Sequence, residues 1–359
     1  MVNLSFKELA KYKNEKGFIE LTHLLTNKVE VEREVRGNDK RDKRWFKTND
    51  GKAMFKSNAP EQLNAHWSEL ICCECAGQVG IETAQYDLAK YNGQQGIVTK
   101  DICKPGEELL TINDLIGNGP TNPEYPDNTD IYFVFDALEE KLRVDGYEED
   151  VIDECMLSLR KQLLFDIYVM ETDRHTENIS FIIGKDERTG KQTIRLAPMY
   201  DTEAALAIYD DEEHMKKVWS SMIVTANVTN MQEPKICVIP EPDEDDFATD
   251  DLKDPKSFLE SLQSQVSLGN MYSTKSEEIW KTTLDFLVED RRAFTFLEEQ
   301  LSKMDIKKAI ENVEEKNSCK IPEGVINMAV ACFEDRKRAI SYELGLDIEI
   351  KQKTPKELT

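Results

Sequence analysis

Apolar positions are scattered over the first 27 residues, with Phe6, Leu9, Tyr12, Ile19, Leu21 and Leu24 as candidate anchors, and at Val29 the pattern changes. Val29-Glu30-Val31-Glu32-Arg33-Glu34-Val35 alternates strictly, the period of a half-buried strand. Arg44 to Lys47, carrying Trp45 and Phe46, predicts a second strand, and Ala53 to Lys56 a third. Asn49-Asp50-Gly51 between them is a hairpin turn, because its residues tolerate positive φ. Pro60 to Gly80 predicts one helix through Leu63, Trp67, Leu70, Ile71 and Ala76. Two further strands, Thr83 to Lys90 and Gly96 to Thr99, flank the turn pair Asn92-Gly93. The expectation is a small sheet of about five strands with one helix, ending near Ile102.

Beyond it the period changes. A short helix is expected around Leu109 to Ile116, followed by a loop rich in Gly, Pro and Asn. Residues 131–170 are helical in pattern, with Leu157, Leu163, Leu164, Ile167 and Met170 on an almost wholly apolar face. Ile179 to Ile183 and Thr193 to Leu196, separated by the turn-forming stretch Lys185 to Gln192, predict a hairpin. Residues 256–346 supply further helical faces through Leu259, Leu262, Val266, Leu284, Phe286, Leu287, Phe294, Phe296, Leu297 and Leu301. The fold class is therefore α+β and two-lobed. A β-rich N-terminal lobe spans 1–102, a larger, mainly helical lobe spans 103–349, and 350–359 is a frayed tail.

The candidate chemistry sits between the buried helix and the hairpin, in Thr172-Asp173-Arg174-His175-Thr176-Glu177-Asn178. An acid, an amide five residues later and a second acid, Asp201, beyond a hairpin form a phosphoryl-transfer arrangement. The first acid receives or orients a hydroxyl, and Asn178 and Asp201 hold magnesium against phosphates. A hairpin brings its ends together, so Asp201 is carried back beside Asn178. Each residue also has an ordinary use: Asp173 as a helix-end cap, Asn178 as a loop amide, Asp201 as a cap for a helix starting at Thr202. His175 is either a base or a loop-orienting residue, and Arg174 is structural or phosphate-facing. In the N-terminal lobe, strand residue Lys56 and Glu69, 13 residues later on the predicted helix, match a lysine that reaches phosphate and the glutamate that fixes it. The basic loop from Gly37 and Asn38 to Lys43 has the place of a phosphate-covering turn but only one glycine; a solvated turn reads equally from it.

Composition narrows the partners. A net charge of −24 argues against a general nucleic-acid binder, which needs clustered Lys and Arg. No apolar run approaches the ~18 residues of a membrane span, the N-terminus lacks a secretory core, and a cytoplasmic setting is expected. The eight cysteines do not form a disulfide framework, and Cys72, Cys73 and Cys75 lack zinc-ligand spacing, so they read as buried core. Ile239 to Asp254 is strongly acidic: a solvated loop, or a docking surface for a basic partner.

Asp173-Arg174-His175-Thr176-Glu177-Asn178 together with Leu196-Ala197-Pro198-Met199-Tyr200-Asp201 resembles the HipA-like branch of the kinase superfamily. In that family a D-x-H-x-x-N loop precedes a hairpin and an L-x-P-x-Y-D segment. The Asp-Arg-His opening is also similar to the catalytic loop of phosphatidylinositol 3-kinases. The resemblance covers roughly residues 30–205. It implies an ATP- and Mg2+-dependent serine/threonine protein kinase related to bacterial toxin–antitoxin kinases. Asp173 is implied as base, Asn178 and Asp201 as metal ligands, Lys56 as the ATP lysine and Glu69 as its partner. Family members are often regulated by autophosphorylation of a serine in the phosphate loop, whereas Gly37 to Lys43 holds no Ser or Thr. A DNA-binding antitoxin domain is not evident in the sequence. The alternatives are a small-molecule or lipid phosphotransferase and a nucleotide-binding pseudokinase that acts as an interaction module.

Overall fold

The computed structural model describes residues 4–25, 31–34, 41–59, 63–117, 131–171, 173–208 and 279–346. Two one-turn helices, α1 (Phe6–Leu9) and α2 (Leu21–Leu24), lead into a sheet built from β1 (Ile19–Glu20), β2 (Val31–Glu34), β3 (Lys43–Thr48), β4 (Gly51–Ser57), β5 (Tyr86–Tyr91) and β6 (Gln94–Lys100). The order is β1-β5-β6-β4-β3-β2, antiparallel except for the parallel β1–β5 pair. There are six strands where alternation predicts about five. β1 is two residues long, too short to leave a period in the sequence.

Register assigns the two faces of this sheet. Phe55 pairs with Val98 and shares a face with Phe46, Ala53 and Ala89, which Phe6, Leu9, Ile19 and Leu21 cover in a small separate core. Lys56 pairs with Ile97, and Ile97 with Leu88, so the lysine lies on the opposite face. That face meets α3 (Ala65–Gln78). The helix starts five residues later than its apolar pattern suggests, and Leu63 lies outside it, exposed. It ends where Gly80, at φ +73°, lets the Ile81 N–H reach the Ala76 carbonyl at 3.0 Å.

In the second lobe, β7 (Glu108–Thr111), β8 (Ser180–Lys185) and β9 (Gln192–Leu196) form a three-stranded sheet. The expected helix from Leu109 is thus half strand. β7 pairs with β8 first, and Thr111 then caps the short α4 (Ile112–Ile116) through Asp114 N–H at 3.0 Å. Helices α5 (Ile131–Val144) and α6 (Glu149–Val169) precede the hairpin, and α7 (Ile279–Val288), α8 (Arg291–Glu299), α9 (Ile306–Asn317) and α10 (Glu323–Glu343) follow. α6 is the axis of this lobe, touching α5, α7, α8, α10 and β9, and its expected apolar face is buried throughout. Among the C-terminal anchors Phe294 is half-buried and the other described ones are buried; of the N-terminal ones Tyr12 is exposed.

The chain is α+β, a β-rich lobe and a mainly helical lobe, with one addition. α9 crosses back and packs on α3, where Gln78 and Asp305 exchange two side chain–backbone hydrogen bonds of 2.8 and 2.9 Å. Gly37, Asn38, the acidic stretch 239–254, Leu259, Leu262, Val266 and the tail lie outside the described residues. Cys72 and Cys75 are buried, and among the described residues no cysteine joins a group able to hold a metal. Among those residues, no helix is long and apolar enough to cross a membrane.

Candidate active site

α6 stops at Met170, whose left-handed backbone (φ 54°) turns the chain into the Asp173–Asn178 loop. The loop is closed by its own side chains. Asn178 Nδ2 donates to the Asp173 carbonyl at 2.5 Å, and Asn178 Oδ1 accepts the His175 N–H at 2.9 Å. His175 Nδ1 accepts the Glu177 N–H at 3.2 Å, which ties the ring to the loop. Glu171, fully buried, accepts the Asp173 N–H at 2.7 Å, and its second carboxyl oxygen is buried with no hydrogen-bond partner among the described residues. Burial pushes the Glu171 carboxyl well above the usual carboxylate range, more than the nearby Arg174 charge can offset. Burial likewise raises the Asp173 carboxyl, opposed by His175 and reinforced by Asp201, although the residue as a whole is exposed.

Arg174 settles its own alternatives. The side chain is 1% exposed and pairs bidentately with buried Asp166, Nε to Oδ2 at 2.9 Å and Nη2 to Oδ1 at 3.0 Å. Its remaining nitrogen reaches the carbonyls of Tyr200, at 2.9 Å, and Asn178, at 3.3 Å. One guanidinium thus links α6, the loop and the segment entering Asp201. It is structural.

Asp201 has a positive φ of 61° and is followed by turns instead of the helix that a capping role would need. The preceding residues are held by backbone bonds from Met199 N–H to Glu82 and from Ala84 N–H to Met199. The carboxylate meets Lys56 Nζ, which also lies 3.4 Å from Glu69 Oε1 and 2.7 Å from Glu203 Oε2. Burial opposes ionisation of Asp201, but the Lys56 ammonium more than offsets it and holds the carboxyl far below its ordinary value. Glu69 is buried, and its other oxygen accepts the Thr202 N–H and hydroxyl, both at 3.1 Å. The single Ser68 hydroxyl proton is shared between the Thr202 carbonyl, 2.7 Å from Oγ, and that of Ala205, 2.9 Å away. Neighbouring residues of α3 therefore grip both Lys56 and the chain just after Asp201.

The structure brings Lys56, Glu69 and Asp201 into one cluster, and Asp173, His175 and Asn178 into a second, bridged to the first by Arg174. Gly37 and Asn38 cannot be placed in either. Sequence reasoning missed Glu203, which pairs with both Lys56 and Arg41, and Glu171. Nothing in Asp201-Thr202-Glu203 marks the glutamate beyond its two-residue offset from Asp201. Glu69, Asp201 and Glu203 each place a carboxylate oxygen within 4.8 Å of the others.

The HipA-like C-terminal domain family matches residues 25–267, more than half of the chain. The chain belongs to this family. Among solved structures, this HipA-like chain is similar to the Helicobacter pylori proinflammatory kinase CtkA. The TM-score is 0.55 at 16% identity, over 92% of this chain and 100% of that one. It also matches HipA in the toxin–antitoxin complex of HipA, HipB and operator DNA from Shewanella oneidensis MR-1. There the TM-score is 0.39 at 14% identity, over 90% of this chain and 70% of that one. No curated protein sequence matches it. At these identities the likeness to CtkA speaks for the fold: a HipA-like, kinase-type two-lobed chain.

Proposed function

We propose that this HipA-like protein transfers the γ-phosphoryl group of ATP to a Ser or Thr hydroxyl of a protein substrate. The observation that carries the reading is the joining of Lys56, Glu69 and Asp201 to the Asp173–Asn178 loop through Arg174. An amide oxygen and an ionised carboxylate are the hard donors that magnesium takes. The Asn178 oxygen uses one lone pair on the His175 N–H and keeps its second. Asn178 and Asp201 would hold the ion, which when bound neutralises phosphate charge.

The chain's own residues divide the remaining work. Lys56 presents an ammonium to phosphate oxygens, and Glu69 fixes its direction. Asp173, exposed at the loop, accepts or orients the acceptor hydroxyl proton. His175 and Asn178 keep Asp173 in place through the loop's backbone, and Glu171 holds the Asp173 N–H from below. The acidic stretch 239–254 remains a candidate docking surface for a basic protein.

Purified protein with labelled ATP and magnesium should label itself or a lysate protein on serine or threonine. Asp173→Asn should abolish that label, because the isosteric amide cannot take the proton. Label that survives Asp173→Asn sinks the assignment. Label confined to a lipid or small-molecule fraction would move the chain to another phosphotransferase class.

A further inference from the structure

Lys56 is over-supplied with anions. Glu69 and Asp201 already account for a kinase lysine, yet Glu203 adds a third carboxylate at 2.7 Å. Its two oxygens are divided: Oε2 faces Lys56, and Oε1 pairs with Arg41. Arg41 belongs to the connection between β2 and β3, the turn expected to cover phosphate, whereas Glu203 follows Asp201 in the other lobe. The Glu203 side chain is 8% exposed, and both of its partners are largely buried, so solvent screens these pairs weakly.

A phosphate oxygen arriving at this site needs the same cations. We propose that Glu203 sets the nucleotide affinity of the site by competing with the phosphates for Lys56 and Arg41. The inference rests on the phosphotransferase reading above. Glu203 is an internal stand-in for phosphate, tying Arg41 to the segment that follows Asp201. Binding must exchange a carboxylate for phosphate on both cations, so affinity is lower than Lys56 and Arg41 alone would give. The rival role, a third metal ligand beside Asp201, predicts the opposite sign.

The test is calorimetric titration of the full chain with Mg-ADP and Mg-ATP, comparing wild type, Glu203→Gln and Arg41→Gln. Glu203→Gln keeps the shape and removes the charge. It should tighten binding about tenfold, the scale of one charge-assisted hydrogen bond no longer competed for. Arg41→Gln should weaken binding, and Glu203→Gln should gain less when Arg41 is also replaced. Unchanged or weaker binding by Glu203→Gln, with wild type binding normally, overturns the inference and leaves the phosphotransferase reading standing. Absence of binding by every variant overturns both. If Glu203→Gln does not fold, Glu203→Ala in the same titration decides by the same sign.

Discussion

Replacing Arg174 by methionine removes one charge and leaves another stranded. Asp166 is 2% exposed and takes both of its described side-chain hydrogen bonds from that guanidinium. Breaking a buried pair from one side costs about 3–5 kcal/mol, against a total stability of about 5–15 kcal/mol. The abandoned carboxyl can escape by taking a proton. Burial already pushes it above its ordinary value with Arg174 present, and without Arg174 it moves further. Holding a proton at pH 7 on a group that ionises near pH 3.9 when unfolded costs about 1.4 kcal/mol per pH unit, at most roughly 4 kcal/mol, part of which the wild type already bears. The two routes agree.

The sign with pH follows from the raised folded-state value. The deficit of Arg174→Met is smallest where Asp166 is protonated in both proteins, opens as pH rises past the wild-type folded value, and should be larger at pH 7 than at pH 5. Chemical denaturation at both pH values measures it, and Asp166→Leu combined with Arg174→Met should recover more than half of the loss at pH 7. A deficit independent of pH, or a double variant as unstable as the sum of the singles, would refute the pairing argument.

Glu171→Gln should stabilise the protein increasingly as pH rises from about 4.5. The wild-type glutamate must stay protonated in the fold while the unfolded chain ionises, at up to ~1.4 kcal/mol per unit; melts between pH 4.5 and 8 test this. Lys56→Met should abolish Mg-ATP binding and lower the melting temperature at pH 7, because the clustered carboxylates of Glu69, Asp201 and Glu203 then lose the ammonium between them, while Glu203 keeps its Arg41 partner. Gly96→Ala should destabilise by about 1–3 kcal/mol, since its Cβ would overlap the Lys56 carbonyl oxygen, and should weaken nucleotide binding by shifting Lys56. Normal melts and normal titrations for that variant would contradict the strand spacing.

What the sequence showed depended on period and on turn chemistry. The hairpin after Asn178 was legible because Ile179 to Ile183 is apolar and Thr189-Gly190 is a turn pair, and β8 and β9 lie there. β7 was not, because Glu108-Leu109-Leu110-Thr111 gains strand form only by pairing with β8, a partner some seventy residues away. The start of α3 was misplaced because Leu63 carries helical spacing without burial. Arg174 was open between two roles because its partner, Asp166, sits on the preceding helix eight residues back, in a stretch read for its apolar face. Glu203 and Glu171 are single acids in a chain with 70 of them, and only proximity distinguishes them.

α3 carries a last consequence. Its N-terminal half holds Lys56 and Thr202 through Glu69 and Ser68; its C-terminal half is bound by α9, through Gln78 with Asp305 and Glu74 with Asn312 and Lys316. A helix fastened at both ends is a fixed post, not a lever. Switching this protein off by swinging α3 outward would tear the Asp201 segment and α9 along with it. Control is cheaper at Arg41, which reaches Glu203 by its side chain from the connection between β2 and β3.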